Sequence, residues 1–477
     1  MNLDTYSNPL VDRYCSRSMA ARFSARRKFG TWRRLWVALA EGESELGLDI
    51  SKAQIAELAE AVDDIDFERA AALEKELRHD VMAHVHAYRE RCPGAGAVIH
   101  LGATSCYVTD NTDLILLREG LDAVLLRLRA VIRNLAKFAA EQAEQPTVGF
   151  THFQPAQFTT VGKRAALWLQ DFVLDHQELL EAKEALRFRG VKGTTGTQDS
   201  FLKLFDGDEA KVEELDRRVG RKMGFERSFL VCGQTYTRKL DTRVLTALSA
   251  VAQSASKMAN DIRLLCHLRE IEEPFESKQI GSSAMPYKRN PMRSERIGSL
   301  ARFLISLVEN GAYTAATQWL ERTLDDSANR RMSLPQAFMA ADAILILVAN
   351  LSSGLVVREK VIGRHLREQV PFIASEELLM RAVQAGGDRQ ELHERIRGHA
   401  LAAGERIKTE GGDNDFLDRL MADPSFALER EDLESLLVPE RYTGRAASQV
   451  RRYLELEVEP LLARFPDDDA ATEELRV

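Results

Sequence analysis

Proline is scarce in this sequence: only 13 of the 477 residues are proline, and aromatic residues make up only 7%. Proline breaks helices because it lacks a backbone N–H and its ring clashes with the preceding turn. Its scarcity therefore permits long uninterrupted helices. The alternating apolar and polar runs that predict half-buried strands are nearly absent. We therefore expect an all-α protein.

Cysteine is also rare, and the five cysteines are scattered without the CxxC spacing of a zinc site. This number and spacing fit free thiols in a reducing compartment better than a disulfide framework. The first residues are polar, which argues against a secretory signal. The apolar run over 341–357 is interrupted by polar side chains, which favours a buried helix over a membrane span. A cytoplasmic protein without a membrane partner is the expectation.

The sequence has no excess of positive charge: it contains 65 Lys and Arg residues and 73 Asp and Glu residues, and the formal net charge is −8. General nucleic-acid binding needs a basic surface, so no nucleic-acid partner is expected. Apolar residues at 45% and charged residues at 29% describe an ordinary globular protein. At this length the chain should hold two to four domains.

Two local patterns suggest cofactor sites but lack the required spacing. His79, His84 and His86 lie close together, yet no two of them have the i, i+4 spacing of a helical zinc pair. We therefore expect no metal, and we interpret His79 as a ligand contact. The glycine-rich stretch 190–196 resembles a phosphate-binding loop, but Lys192 precedes the glycines instead of following them. No nucleotide-hydrolysis site is expected there.

Apolar residues recur every three or four positions from Leu114 to Phe138, which predicts a long bundle helix. Similar patterns follow at intervals to about Val357, after which the segments shorten and carry more charge. This change predicts a domain boundary near 357–358. Before the long helix, a single helix is predicted from Asp66 to about Ala87.

Residues 281–291 separate two helical patterns and combine small, polar and charged residues. Ser282 and Ser283 offer hydroxyl and backbone N–H groups at a turn, Lys288 offers a positive charge, and Asn290 an amide. Such a set suits an anionic, carboxylate-bearing substrate that must lose a proton. The residue types alone do not distinguish Ser282 from Ser283.

This stretch resembles the G-S-x-x-M-x-x-K-x-N signature of the fumarase/aspartase/argininosuccinate lyase superfamily. Its extension over 285–295 is similar to the adenylosuccinate lyases in particular. The stretch 151–156 matches T-H-x-Q-x-A, the second block of the superfamily. Three such blocks occur in the superfamily order, so the resemblance covers essentially the whole chain.

The resemblance implies a three-domain helical fold, divided here into 1–104, 105–357 and 358–477. The central domain would contribute its long helices to a twenty-helix core in a homotetramer. The blocks would then meet only between subunits, and each active site would draw on three chains. No metal or organic cofactor would be required.

The implied reaction is β-elimination of fumarate, from adenylosuccinate to give AMP and from succinylaminoimidazole carboxamide ribotide (SAICAR) to give AICAR, in purine biosynthesis. By position in the signature, Ser282 would be the base. A serine hydroxyl is a weak base, so Lys288 and nearby N–H groups would have to stabilise the alkoxide. His152 would be the acid that protonates the leaving nitrogen, oriented by Glu295.

The resemblance also implies a set of substrate contacts whose hydroxyl, amide, imidazole, carboxylate and guanidinium groups hold polar and anionic parts of a ligand. They are Arg13, Tyr14, Arg78, His79, Asp80, Thr104, Ser105, Thr151, Gln234, Asn290, Arg296, Arg322, Ser327 and Arg331. Helix capping is an alternative role for Thr104 and Ser105. Arg330 is interpreted as part of a solvated segment with local salt bridges.

Three other functions remain open. The nearest is another lyase of the superfamily, such as argininosuccinate lyase. A catalytically silent member would serve as a structural or binding protein, but it would not need Ser282, Lys288, Asn290, His152 and Glu295. A helical scaffold protein would leave all three polar blocks unexplained.

Overall fold

The computed structural model describes residues 4–426 and 435–466, and the chain is 68% helical. The N-terminal helices are α1 Arg17–Arg22, α2 Ala25–Glu45, α3 Lys52–Glu60, α4 Phe67–Leu77 and α5 Asp80–Arg91. The middle of the chain forms α6 Ser105–Glu141, α7 Val161–Glu184, α8 Asp199–Leu204, α9 Glu209–Lys222, α10 Lys239–His267, α11 Met292–Ala316 and α12 Asp326–Ser353. The last helices are α13 Glu359–Ile373, α14 Ser375–Gln384, α15 Arg389–Glu410, α16 Phe416–Ala422, α17 Ala446–Tyr453 and α18 Glu459–Ala463.

The main core is a bundle of five long helices: α6, α7, α10, α11 and α12. On α6, Leu117, Leu121, Val124 and Leu128 are at most 1% exposed, so the predicted apolar stripe faces the core. Helix α12 is long and apolar enough to cross a membrane, but 78% of its apolar window is buried inside the structure. It is therefore the central helix of a packed bundle, and the predicted all-α fold class is confirmed.

A β-hairpin interrupts the helices where the sequence predicted almost no strand. Strand β1, Pro146–Thr151, pairs with antiparallel strand β2, Gln154–Thr160, with a bulge between Val148 and Phe150. Short Thr- and Phe-containing strands give too weak an alternation to stand out from loop sequence. A second short pair, β3 (Ile271–Glu272) and β4 (Val356–Val357), joins the chain after α10 to the end of α12.

The predicted helix from Asp66 to about Ala87 is wrong in one respect, because two helices replace it. Arg78 adopts a left-handed conformation with φ of 55°, which ends α4. His79 then caps α5, and its Nδ1 accepts a hydrogen bond from the N–H of Met82 at 3.3 Å. The break turns Arg78, His79 and Asp80 into an exposed corner between two helices.

A second, smaller apolar core lies among α14, α15 and α16, around Leu378, Leu392 and Phe416. Helices α13 and α17 instead pack on the main core, through residues such as Ile362 and Val450. The chain therefore returns to the main core after it forms the smaller one. The predicted boundary near 357–358 remains a prediction.

One acidic side chain is buried without a partner. Glu43, in α2, is fully buried, and neither of its carboxyl oxygens has a hydrogen-bond partner among the described residues. Burial in apolar surroundings disfavours the charged form and raises the pKa of Glu43 from its ordinary 4.5 to about 9. At neutral pH this side chain is therefore a neutral acid.

We expect Glu43→Gln to make the protein less sensitive to alkaline pH. The pKa of Glu43 is raised in the folded state, so its contribution to stability is complete below pH 4.5 and is lost as the pH rises through about 9. Between pH 5 and pH 9, the melting temperature of the variant, measured at fixed scan rate, should rise relative to that of the wild type. The corresponding difference in the free energy of unfolding should grow by at most about 1 kcal/mol per pH unit.

Glu45→Gln is the matched control on the same helix, because Glu45 is partly exposed and paired with Arg218 and Lys222. Those hydrogen bonds lower the pKa of Glu45, so it stays ionised across this range. An identical pH dependence in the Glu43→Gln variant and the wild type would contradict the assignment.

Candidate active site

A cavity of about 950 Å³ lies at the ends of α5, α6 and α12, beside the turn that precedes α10. Eight of the predicted substrate contacts line it: Arg78, His79, Asp80, Ser105, Gln234, Arg322, Ser327 and Arg331. They come from four separate parts of the sequence. The fold therefore gathers more than half of the predicted substrate contacts within a single chain.

The corner between α4 and α5 forms one wall of this cavity. The Nε2 of His79 lies 3.4 Å from the hydroxyl of Ser105, the first residue of α6. The Nδ1 of His79 accepts the hydrogen bond from the N–H of Met82 that caps α5. In a neutral ring the proton must then be on Nε2, which donates to the hydroxyl of Ser105. Asp80 accepts a hydrogen bond from Nη2 of Arg331 at 3.1 Å. This carboxylate therefore orients an arginine that is still 60% exposed.

The floor of the cavity is a chain of buried charges. Arg238 donates from Nη1 to Asp110 at 3.0 Å and from Nε to Asp326 at 2.7 Å. Their three side chains are at most 3% exposed. Burial alone would raise the pKa of Asp110, but the neighbouring guanidinium charges of Arg238 and Arg330 outweigh it and hold that pKa below its ordinary value. Asp110 also accepts the backbone N–H of Tyr236, which fixes the turn next to Gln234.

Arg330 centres a second buried set beside the first. Its guanidinium donates to Asp241 at 2.7 Å and to Asp113 at 2.9 Å, and it also donates to the hydroxyl of Tyr236. Arg330 is 8% exposed. The prediction of a solvated segment is therefore wrong for this residue, because its neighbours on α6 and α10 supply carboxylates that only the fold brings near.

The signature loop, residues 281–291, is mostly exposed and does not line the cavity. The hydroxyl of Ser282 accepts the backbone N–H groups of Ala284 and Met285 at 3.3 and 3.2 Å. At the base of the loop, Asn290 donates from Nδ2 to the carbonyl of Gly281 at 2.8 Å. The loop is thus closed at its base, while Lys288 remains exposed within it.

His152 and Thr151 lie at the tip of the β-hairpin, outside the cavity. The register pairs Thr151 with Gln154, so His152 and Phe153 form a two-residue turn. Both have positive φ, 52° and 56°, as a type I′ turn requires. Glu295 lies in the first turn of α11, and among the described residues no hydrogen bond or ion pair joins it to His152. One chain therefore does not bring the predicted acid and its partner together.

The remaining predicted residues lie elsewhere. The ring of Tyr14 lies near two guanidinium groups: Arg13 and Arg296 each place Cζ 5.9 Å from its centroid. Thr104 occupies the N-cap position of α6 but makes no side-chain capping bond, and its hydroxyl is buried without a partner among the described residues. Capping therefore does not account for Thr104.

Sequence reasoning missed several residues of this cavity, notably Lys28, Asp110, Arg238 and Asp326. A signal was present: Asp110 lies four residues before Leu114, on the apolar face of α6, and a charge on such a face needs a buried partner. Burial lowers the pKa of Lys28, and no carboxylate in the described ranges is within ion-pairing distance of it. Lys28 thus adds an amine to the lining of the cavity.

In residues 4–426 and 435–466, no group of three or more His, Cys, Asp and Glu side chains is arranged to hold a metal ion. His84 illustrates why the histidine cluster does not form one. Its ring stacks on Phe29 with the centroids 3.8 Å apart, and burial lowers its pKa to about 4. It is a neutral core residue.

Solved structures share this arrangement of long helices. The structure is similar to a fumarate lyase from Mesorhizobium sp. BNC1, with a TM-score of 0.79 and 23% identity over 95% of this chain and 100% of that one. It is also similar to the 3-carboxy-cis,cis-muconate lactonizing enzyme of Pseudomonas putida, with a TM-score of 0.81 and 23% identity over 95% and 99% of the two chains. At these identities the likeness shows the fold alone.

Sequence comparison is more specific. A lyase family model matches residues 14–304, and an adenylosuccinate lyase C-terminus model matches residues 371–453. The chain is 52% identical to adenylosuccinate lyase of Saccharomyces cerevisiae over 97% of this chain and 96% of that protein. It is 49% identical to that of Schizosaccharomyces pombe, over 97% and 96% of the two chains. The chain belongs to the adenylosuccinate lyase family, so the predicted resemblance is confirmed and the protein is a lyase.

Gly281→Ala should open the base of the signature loop. A Cβ at this position would lie 2.1 Å from the backbone carbonyl oxygen of Lys288, so the two ends of the loop must separate. We expect unchanged global melting, faster proteolytic cleavage within 281–291, and a loss of turnover of roughly a hundredfold, because small displacements of reacting groups are costly.

Gly404→Ala is the control, because this glycine lies inside α15 and a Cβ added there would meet nothing within 4 Å. Alanine is the better helix former, so this variant should keep full turnover. Normal turnover and protease resistance in Gly281→Ala would contradict the tight loop base.

Proposed function

We propose that this protein eliminates fumarate from adenylosuccinate, giving AMP, and from SAICAR, giving AICAR, in purine nucleotide biosynthesis. The observation that carries the proposal is the cavity, whose lining includes Arg78, Arg322 and Arg331 and the hydroxyls of Ser105 and Ser327. Both substrates carry a phosphate and a succinyl group with two carboxylates. Relatives named adenylosuccinate lyase, which match almost the whole chain, support the same substrate class.

The cavity arginines retain donors for such anions. In the described part of the chain, Arg322 is hydrogen-bonded only through Nη1, to Asp326, which leaves Nε and Nη2 available. Guanidinium groups bind phosphate and carboxylate through paired N–H donors. The N-terminus of α6, at Ser105, adds backbone N–H groups and the positive end of a 37-residue helix. These features support a ligand with several negative charges.

The chemistry we propose has two proton transfers. Ser282 removes a proton from the carbon next to a carboxylate, the carbon–nitrogen bond breaks as the double bond of fumarate forms, and His152 protonates the departing nitrogen. The two N–H groups that point at the Ser282 hydroxyl support its assignment over Ser283, because they would stabilise an alkoxide there. Lys288 adds positive potential, and Glu295 orients His152.

We further propose that these groups meet in a homotetramer with a twenty-helix core and active sites shared between subunits. Within one chain, the cavity, the His152 turn and the signature loop are three separate places. Large apolar side chains are exposed along and just beyond α11, including Tyr313 (69%), Trp319 (74%) and Leu320 (97%). Exposed apolar surface of this kind is typical of subunit interfaces. Cys92, Cys106, Cys232 and Cys266 form no disulfide, which supports a cytoplasmic location.

The first test is an ultraviolet assay of the purified wild type with adenylosuccinate, beside argininosuccinate and the Ser282→Ala variant. We expect the wild type to consume adenylosuccinate and to leave argininosuccinate unchanged. Ser282→Ala should nearly abolish turnover but keep the same oligomeric state, because it removes one hydroxyl from an exposed loop. Ser283→Ala is the matched control and should retain turnover.

Fumarate release from argininosuccinate alone would move the substrate assignment to the argininosuccinate lyases. If the folded oligomer turned over neither substrate, a structural or binding protein would be favoured. Turnover by Ser282→Ala comparable to that of the wild type would refute the proposed base.

Mixing inactive variants tests the shared sites. His152→Ala and Ser282→Ala proteins should each be inactive, and activity should return after they are dissociated, mixed and reassociated, because some sites then receive both intact residues from different subunits. Each variant carried through the same procedure alone is the control. Absence of any recovery in hetero-oligomers shown to have formed would argue that a single subunit supplies both groups.

A further inference from the structure

Arg322 is held by the carboxylate of Asp326, which is almost completely buried. Its Nη1 donates to Oδ1 of Asp326 at 3.1 Å and lies 3.4 Å from Oδ2. The Arg322 side chain is 24% exposed, whereas that of Asp326 is 1% exposed. Both residues line the cavity, but Arg322 is much the more exposed of the two.

Asp326 is itself fixed from behind. Arg238 donates from Nε to Oδ2 of Asp326 at 2.7 Å, and its other nitrogens bind Asp110 on α6. Both oxygens of Asp326 thus accept hydrogen bonds from arginines. A carboxylate held in this way has one position and imposes that position on Arg322.

We propose that Asp326 is a positioning residue: it fixes the guanidinium of Arg322 so that Nε and Nη2 face an anionic group of the substrate. The proposal rests on the proposed function, in which Arg322 binds a phosphate or a carboxylate. Asp326 does not touch the substrate and acts only through Arg322.

The position of Asp326 in the helix supports this role. It lies in the first turn of α12, directly before Ser327, which also lines the cavity. A free arginine side chain has several rotatable bonds, and fixing them when substrate binds costs affinity. The carboxylate instead orders Arg322 in the folded enzyme, in a constant relation to the hydroxyl of Ser327. An asparagine here would keep the shape but turn an N–H₂ group towards one of two guanidinium groups.

A double-mutant cycle tests the proposal with Arg322→Gln, Asp326→Asn and the double variant. The measurements are kcat, KM and the inhibition constants of the two products, AMP and fumarate, which separate a phosphate contact from a carboxylate contact. We expect Arg322→Gln to weaken inhibition by one of the two products about tenfold or more, equivalent to about 1.4 kcal/mol. Asp326→Asn should weaken inhibition by the same product and raise KM more than it lowers kcat.

The double variant should bind that product no more weakly than Arg322→Gln alone, because Asp326 acts only through Arg322. The proposal would be overturned if the loss of product affinity in the double variant equalled the product of the losses in the two single variants, since Asp326 would then act independently of Arg322. Unchanged product affinity in Asp326→Asn, together with a loss in Arg322→Gln, would overturn it as well. Unchanged affinity for both products in Arg322→Gln would instead refute the proposed contact of Arg322 itself.

Two further variants separate positioning from folding. Asp326→Glu keeps the charge that Arg238 needs but lengthens the side chain, so it should fold and still weaken binding of the same product. Normal affinity in this variant would count against a positional requirement. Asp325→Asn, at the exposed neighbouring residue, should leave all four constants unchanged.

Discussion

The pairing of buried charges around Arg238 and Arg330 is the constraint on which the site depends. Burying an unpaired charge is very costly, so each of these arginines must meet its carboxylates or remain in water. Their partners Asp110, Asp241 and Asp326 lie on α6, α10 and α12. The three helices therefore have one mutual register in which all the charges are satisfied. That register also determines where the cavity lies and which side chains surround it.

The same principle extends to the arginines that face the cavity. Arg331 is held by Asp80 and Arg322 by Asp326, and among the described residues their remaining guanidinium nitrogens have no hydrogen-bond partner. Groups ordered in this way before substrate arrives need little reorganisation when it binds. The cavity combines this order with Lys28, whose amine lacks a close carboxylate in the described chain. This ordered set of cationic side chains supports the proposed binding of an anionic substrate.

Much of the fold was accessible from sequence, because core helices repeat their apolar residues every three or four positions. The buried stripe on α6 from Leu117 to Leu128 is an example. The family was accessible because its motif blocks are local. The corner at Arg78 and the type I′ turn at His152 were not, because each depends on a left-handed backbone at a non-glycine residue, which composition does not indicate. The burial of Arg330 was also hidden, because its carboxylate partners are up to 217 residues away in the sequence. The separation of His152 from Glu295 in one chain was not accessible either, because periodicity does not encode the distance between two motif blocks.

The hairpin that carries His152 has a mechanical consequence. The two strands pair with each other as far as Thr151 and Gln154, next to the turn. The imidazole of His152 therefore lies at the end of a short, stiff hairpin and not in a flexible loop. A stiff arm transmits rotation: a small tilt at the base becomes a larger displacement at the tip. Gly149 lies at the bulge, where a Cβ would come within 2.5 Å of the carbonyl oxygen of Gln157, so even one methyl group there would tilt the arm. The orientation of the His152 imidazole thus depends on the close packing of β1 against β2 at Gly149, several residues away.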